Sequence, residues 1–131
     1  MNFDRKQVRI TSWVLTGLFA SFMLFDTVLH VTKEQHAVAT AGELGLPADM
    51  LVVVGILEAI FLAVSLIPRT AALGAVLLTA YFGGAIAINM RVEKPLFSTV
   101  LFPIYLAFFL WGGLWLRDAR VRALLPVATG T

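Results

Sequence analysis

Four long apolar runs dominate the chain, at about Ile10 to Val31, Met50 to Ile67, Thr70 to Ile88 and Phe97 to Leu116. Each nears the ~20 residues that cross ~30 Å of hydrocarbon at a rise of ~1.5 Å per residue. In lipid every backbone N–H and C=O needs a partner within the protein, so only helices or closed barrels can span it. The runs lack the two-residue alternation of barrel strands. The expectation is an all-α fold, an integral membrane four-helix bundle forming one domain over residues 1–131. Composition agrees: 60% of residues are hydrophobic and 14% charged, where a soluble domain carries about a quarter charged. A mean hydropathy of +0.89 leaves too little polar side chain to wet a globular surface.

The basic residues lie at the ends of the runs and follow a topology rule. With both termini cytoplasmic, that side holds Arg5, Lys6, Arg9, Arg69, Arg117, Arg120 and Arg122, seven residues against the three opposite, Lys33, Arg91 and Lys94. Trp13 and Trp115 then fall at the inner interface, where indoles concentrate. No stripe of charge points to nucleic acid. The chain has no cysteine, which excludes thiol chemistry and iron–sulfur ligation by its own residues. Ala37-Val38-Ala39 looks like a signal-peptide cleavage site, but the preceding run is long and contains Asp26 and His30, so it reads as a retained span.

The longest connection runs from about Thr32 to Asp49; residues 33–41 suit a short surface helix, and Asp49 is placed to cap the second span. Only Pro68-Arg69 links the second and third spans, which makes them antiparallel neighbours. Counting outward from that link sets Glu58 level with Thr79 and brings Tyr81 within reach. Along the third span Ala71, Ala75, Thr79, Gly83 and Ala87 recur every four residues, with Ala72, Ala80 and Gly84 beside them. Such small residues let helices approach closely, within the bundle or across a homo-oligomer interface. Pro103 is expected to kink the fourth span.

Glu58 stands alone in the apolar stretch GILEAIFLAV. Counted from the inner end of each span, Glu58 lies ~14 Å up, Asp26 ~24 Å, and Asn89 and Arg91 ~30 Å. His30 is one turn beyond Asp26 on the same face. The inner half has no such group beyond Ser12, Thr16 and Ser65 and reads as sealed. A lipid-exposed carboxylate costs several kcal/mol, so Glu58 is expected to face the interior. The predicted site is an outward-opening pocket with Glu58 as floor, Tyr81 in reach, and Asp26, His30, Asn89 and Arg91 at the mouth. No ligand spacing such as His-x-x-x-His is present, so no metal is expected, and no nucleophile elbow, phosphate loop or dinucleotide fingerprint names a cofactor.

Gly45 and Pro47, Gly55 with Glu58, Pro68-Arg69-Thr70, Gly83-Gly84-Ala85, Arg91, the segment Pro95 to Pro103, and Trp111-Gly112-Gly113 together form a pattern over Gly45 to about Pro126. In it the chain closely resembles the DoxX-like family of small four-helix bacterial membrane proteins. The resemblance implies a multi-pass protein of the cell inner membrane and, through the wider DoxX group, a link to quinone-coupled sulfur oxidation and membrane oxidoreductase partners. Glu58 matches the acid of the family's second helix and Arg91 the arginine after the third. Asn89 and Thr99 stand where histidine is common, which weakens histidine-based proton transfer or metal binding at those two positions.

Three functions compete. The first is an accessory or binding subunit that holds a lipophilic, quinone-like molecule in the outward pocket. The second is a proton-coupled exporter using Glu58, disfavoured by the one-sided charge bias and the sealed inner half. The third is an acid–base enzyme on an isoprenoid-type substrate, with Glu58 as acid and Asp26 or His30 as base.

Overall fold

The structure is a computed structural model and describes residues 5–125. The segments 1–4 and 126–131, which contain the chain ends invoked for the topology and Pro126 at the limit of the family pattern, lie outside the described residues. Four helical segments are long and apolar enough to cross a membrane. They are α1 (Arg5–Val31), α3 (Ala48–Leu66), α4 (Ala71–Arg91) and the stretch Leu96–Arg117, which comprises a π-helical turn Leu96–Val100 and α5 (Phe102–Arg117). Two short helices complete the described chain, α2 (Gln35–Glu43) in the long connection and α6 (Ala119–Leu124) after the last span.

Buried positions recur at steps of three or four. On α1 they are Ser12, Thr16, Phe19, Met23 and Thr27, and on α3 Leu51, Gly55, Glu58, Leu62 and Ser65. That spacing puts one stripe of each helix inward and suits side-by-side packing at a shallow angle. α1 packs between α3 and α5, and α4 closes the ring between the same two helices. The core is Phe19, Met23, Leu62, Ala75, Leu78, Phe82, Leu110 and Leu114. Across its diagonal Phe19 meets the Phe82 ring edge-on at 6.1 Å between centroids.

The outward faces are as apolar as the core. Phe108 is 73% exposed and Phe25 64%, with Leu18, Leu24, Leu73 and Val76 also bare. So large a continuous apolar surface is tolerated only where acyl chains cover it. The chain is a multi-pass membrane protein.

Several local expectations change. α3 starts at Ala48 with Pro47 as its N-cap, so Asp49 lies inside the first turn instead of capping it, and its Oδ1 takes a bond from Lys33 Nζ at 2.7 Å. An acid there still complements the positive end of the helix. Thr79 does not reach Glu58: its Oγ1 donates to Ala75 O at 2.7 Å and accepts from Trp111 Nε1 at 2.8 Å. The small-residue face of α4 is buried at Ala71, Gly74 and Ala75, whereas Gly83 and Gly84 are exposed, with no neighbour where a Cβ would stand.

Pro103 produces no simple kink. It sits in the first turn of α5, where a missing N–H leaves no helix bond unmade. The preceding turn widens instead, with Val100 N donating to Pro95 O at 3.1 Å and Leu101 N to Leu96 O at 2.9 Å. Tyr105 Oη donates to the Phe97 carbonyl at 2.8 Å and holds that turn against α5.

Candidate functional site

Glu58 occupies the buried stripe of α3 and has no exposed surface. Gly55, one turn before it, brings α3 against the C-terminal end of α1. A Cβ built at Gly55 would stand 2.9 Å from both His30 Cβ and Val31 Cγ2, closer than such atoms come. Only glycine permits this approach, and it carries His30 to Glu58: Nδ1 lies 3.0 Å from Oε2. The same nitrogen is 3.5 Å from Asp26 Oδ2, one turn back on α1. From α4, Tyr81 Oη donates to Glu58 Oε2 at 3.3 Å.

The result is a short polar line through an apolar wall. The Asp26 side chain is 32% exposed, that of His30 18%, and that of Glu58 not at all. A single ring nitrogen faces two carboxylates, so one proton on Nδ1 can be shared toward either, and His30 can move it between the accessible acid and the buried one. Glu58 Oε1 and, on α1, Thr27 Oγ1 are buried with no hydrogen-bond partner among the described residues. Asp26, His30 and Glu58 each offer a donor atom within 4.8 Å of the others. One imidazole with two carboxylates is a donor set that divalent cations accept. Linear spacing did not show this set, because its members come from two helices.

Asn89 and Arg91, placed with these residues by depth, share no hydrogen bond or ion pair with them among the described residues. Asn89 Nδ2 donates back to Ala85 O on its own helix at 2.8 Å. Arg91 Nη2 donates to Leu44 O at 2.7 Å, fastening the end of α4 to the end of α2. Both side chains bond backbone carbonyls, so the structure brings together Asp26, His30, Glu58 and Tyr81 and sets Asn89 and Arg91 apart from them.

The inner half of the bundle also departs from the sequence reading. Ser12 and Thr16 are buried and gather around Arg117, whose Nη1 donates to Thr16 Oγ1 at 2.5 Å and to Ser12 Oγ at 3.1 Å. Ser12 Oγ in turn donates to Gly113 O at 2.9 Å. A cavity of about 490 Å³ opens beside this group, lined by Arg5, Val8, Arg9, Trp13, Leu116 and Arg117. Its lining includes no residue of the polar line, so the cavity is separate from that site, and the Arg117 cluster beside it is what the sequence reading lacked. A signal for it existed: Ser12 and Thr16 stack on one helix face, as do Gly113 and Arg117, each pair four residues apart.

A model of the DoxX-like family matches residues 14–113, which includes every residue of the polar line. No curated protein and no solved structure matches the chain.

Proposed function

The chain belongs to the DoxX-like family, and on that premise we propose that it is an inner-membrane accessory subunit binding the polar head of a lipophilic, quinone-like molecule at Asp26, His30 and Glu58. One observation carries this reading: His30 stands between an accessible and a fully buried carboxylate, with Nδ1 engaged by both and Nε2 without a partner among the described residues. A quinone head presents carbonyl oxygens that accept hydrogen bonds and take up protons when reduced. When both ring nitrogens carry a proton, His30 donates from Nε2 to such an oxygen, and the two acids behind it supply or receive the accompanying protons. The exposed aromatic rings of Phe22 and Phe25 flank Asp26 and suit an apolar ring and tail. The partner in this reading is a membrane oxidoreductase, which provides the electrons that this cysteine-free chain does not.

Both chain ends face the cytosol in this proposal, which the charge bias supports, so that Asp26 opens toward the extracytoplasmic side. Reporter fusions at each end test the orientation. Binding is tested with purified protein in nanodiscs titrated with a short-chain quinone. The expected result is saturable binding that weakens at least ten-fold in His30→Ala and in Glu58→Gln. Equal binding by wild type and both variants would refute the site.

A second reading, proton-coupled export, draws on a separate observation: Glu58 is a fully buried acid within a membrane span. Its test is substrate-dependent proton flux in liposomes, abolished by Glu58→Gln. Flux unchanged in that variant excludes it.

A further inference from the structure

We propose that the cavity between the start of α1 and the end of α5 is a binding site for a phosphate-bearing anion, either the headgroup of an anionic phospholipid or a soluble phosphate. α1 and α5 touch at Gly113, where a Cβ would stand 2.4 Å from Thr16 Oγ1 and 3.1 Å from Ser12 O. Past that contact lies the cavity of about 490 Å³. Arg5, Arg9 and Trp13 follow one another at intervals of four and share a face of α1, and Arg117 closes the cavity from α5.

Among the described residues the lining holds three guanidinium groups and no carboxylate. Asp118, next in sequence to Arg117, is engaged by Arg120, whose Nη2 and Nε donate to it at 3.0 and 3.2 Å. Neither Arg5 nor Arg9 pairs with a carboxylate among the described residues. Three like charges around one cavity repel unless an anion joins them.

Arg117 is held in a fixed pose. Its Nη1 is used by Ser12 and Thr16, and its guanidinium carbon lies 4.2 Å from the centroid of the Trp13 ring. A guanidinium has five N–H donors, and Nη1 supplies two of them. The remaining three, on Nε and Nη2, have no acceptor among the described residues, and the group lines the cavity. Tetrahedral phosphate oxygens match that planar fork and accept from it in pairs. Trp13, half exposed beside the arginines, suits headgroup depth. Basic pockets between spans at a cytoplasmic surface take phospholipid headgroups by this chemistry.

The full chain in neutral detergent is titrated separately with dioctanoyl phosphatidylglycerol, dioctanoyl phosphatidylcholine and inorganic phosphate, and adducts are counted by native mass spectrometry. The expected result is at least ten-fold tighter binding of phosphatidylglycerol than of phosphatidylcholine. The double variant Arg5→Gln/Arg9→Gln, which leaves the Ser12–Thr16–Arg117 anchor intact, should lose at least ten-fold. Arg117→Lys keeps the charge without the planar fork and should also weaken binding. Saturation by phosphatidylglycerol that inorganic phosphate does not displace identifies the lipid as the source; saturation by inorganic phosphate alone, lost in the double variant, identifies the soluble anion. Equal binding of the two lipids with no phosphate adduct overturns the proposal, as does a double variant that binds like wild type.

Discussion

Gly55 on α3 and His30 on α1 are packed so closely that the glycine leaves no room for a side chain: a Cβ at position 55 would stand 2.9 Å from that of His30. This contact sets the reach of His30 Nδ1 to Glu58. Gly55→Val should push the helices apart and destabilise the protein by ~1–3 kcal/mol, the usual range for overpacking. Thermal unfolding in detergent measures the loss. An unchanged melting temperature would show that α1 and α3 are not locked at this point.

Glu58 receives two side-chain partners of unequal weight. Tyr81 donates across 3.3 Å and His30 lies at 3.0 Å. Tyr81→Phe should therefore cost no more than ~1 kcal/mol, the net value of one ordinary hydrogen bond. His30→Leu strands a buried carboxylate and should cost ~3–5 kcal/mol. Adding Glu58→Gln to His30→Leu should restore much of that loss, since the charge is gone. A double-mutant cycle in denaturant-induced unfolding checks both, and additive losses would contradict the pairing.

Two glycines in the spans invite opposite outcomes. Alanine at Gly113 would press on Thr16 Oγ1 and the Ser12 carbonyl, whereas alanine at Gly83 would meet nothing within 4 Å. Gly113→Ala should lower stability by ~1–3 kcal/mol. Gly83→Ala should leave it unchanged or raise it by up to ~1 kcal/mol, because alanine favours the helical state. Parallel melting curves in one detergent make the comparison, and equal shifts would contradict the packing.

The start of α2 should be sensitive to acid. Glu34 is its N-cap, accepting from the backbone N–H of His36 at 2.8 Å and of Ala37 at 3.0 Å, while His36 Nδ1 lies 2.8 Å from its other oxygen. These contacts, the His36 side chain foremost, hold the Glu34 carboxyl below its ordinary range. A depressed folded value means that the cap's stabilisation is complete above the unfolded value and disappears as pH falls through the folded one. Amide exchange at His36 and Ala37 should therefore rise, relative to intrinsic rates, below the ordinary carboxylate range. Glu34→Gln should remove that dependence, and a pH-independent wild type would exclude the cap as its source.

Length and composition suffice to locate the spans, because the thickness of hydrocarbon dictates how many apolar residues must run together. Tyr81 was within reach by counting, since the link between α3 and α4, four residues (67–70) where two were expected, is still short enough to tie their register. No such count relates α1 to α3. The chain between them includes α2, and its path decides that His30 meets Glu58, 28 residues away. The pairing of Arg117 with Ser12 and Thr16, more than 100 residues distant in sequence, was hidden for the same reason. Depth alone grouped Asn89 and Arg91 with Glu58, but depth says nothing about azimuth around a helix, and both turn to carbonyls of the backbone.

The ring order, with α1 flanked by α3 and α5, bears on biogenesis. Of the four spans α1 emerges before both of its neighbours, α3 and then α5. During that interval Asp26 and His30, one turn apart, can satisfy each other inside a lone hydrophobic helix, while Glu58 enters the bilayer with no imidazole on its own span to meet it. The imidazole is thus an early tenant of the membrane, and docking of the second hairpin arm onto it relieves the one nascent segment that carries an orphan acid.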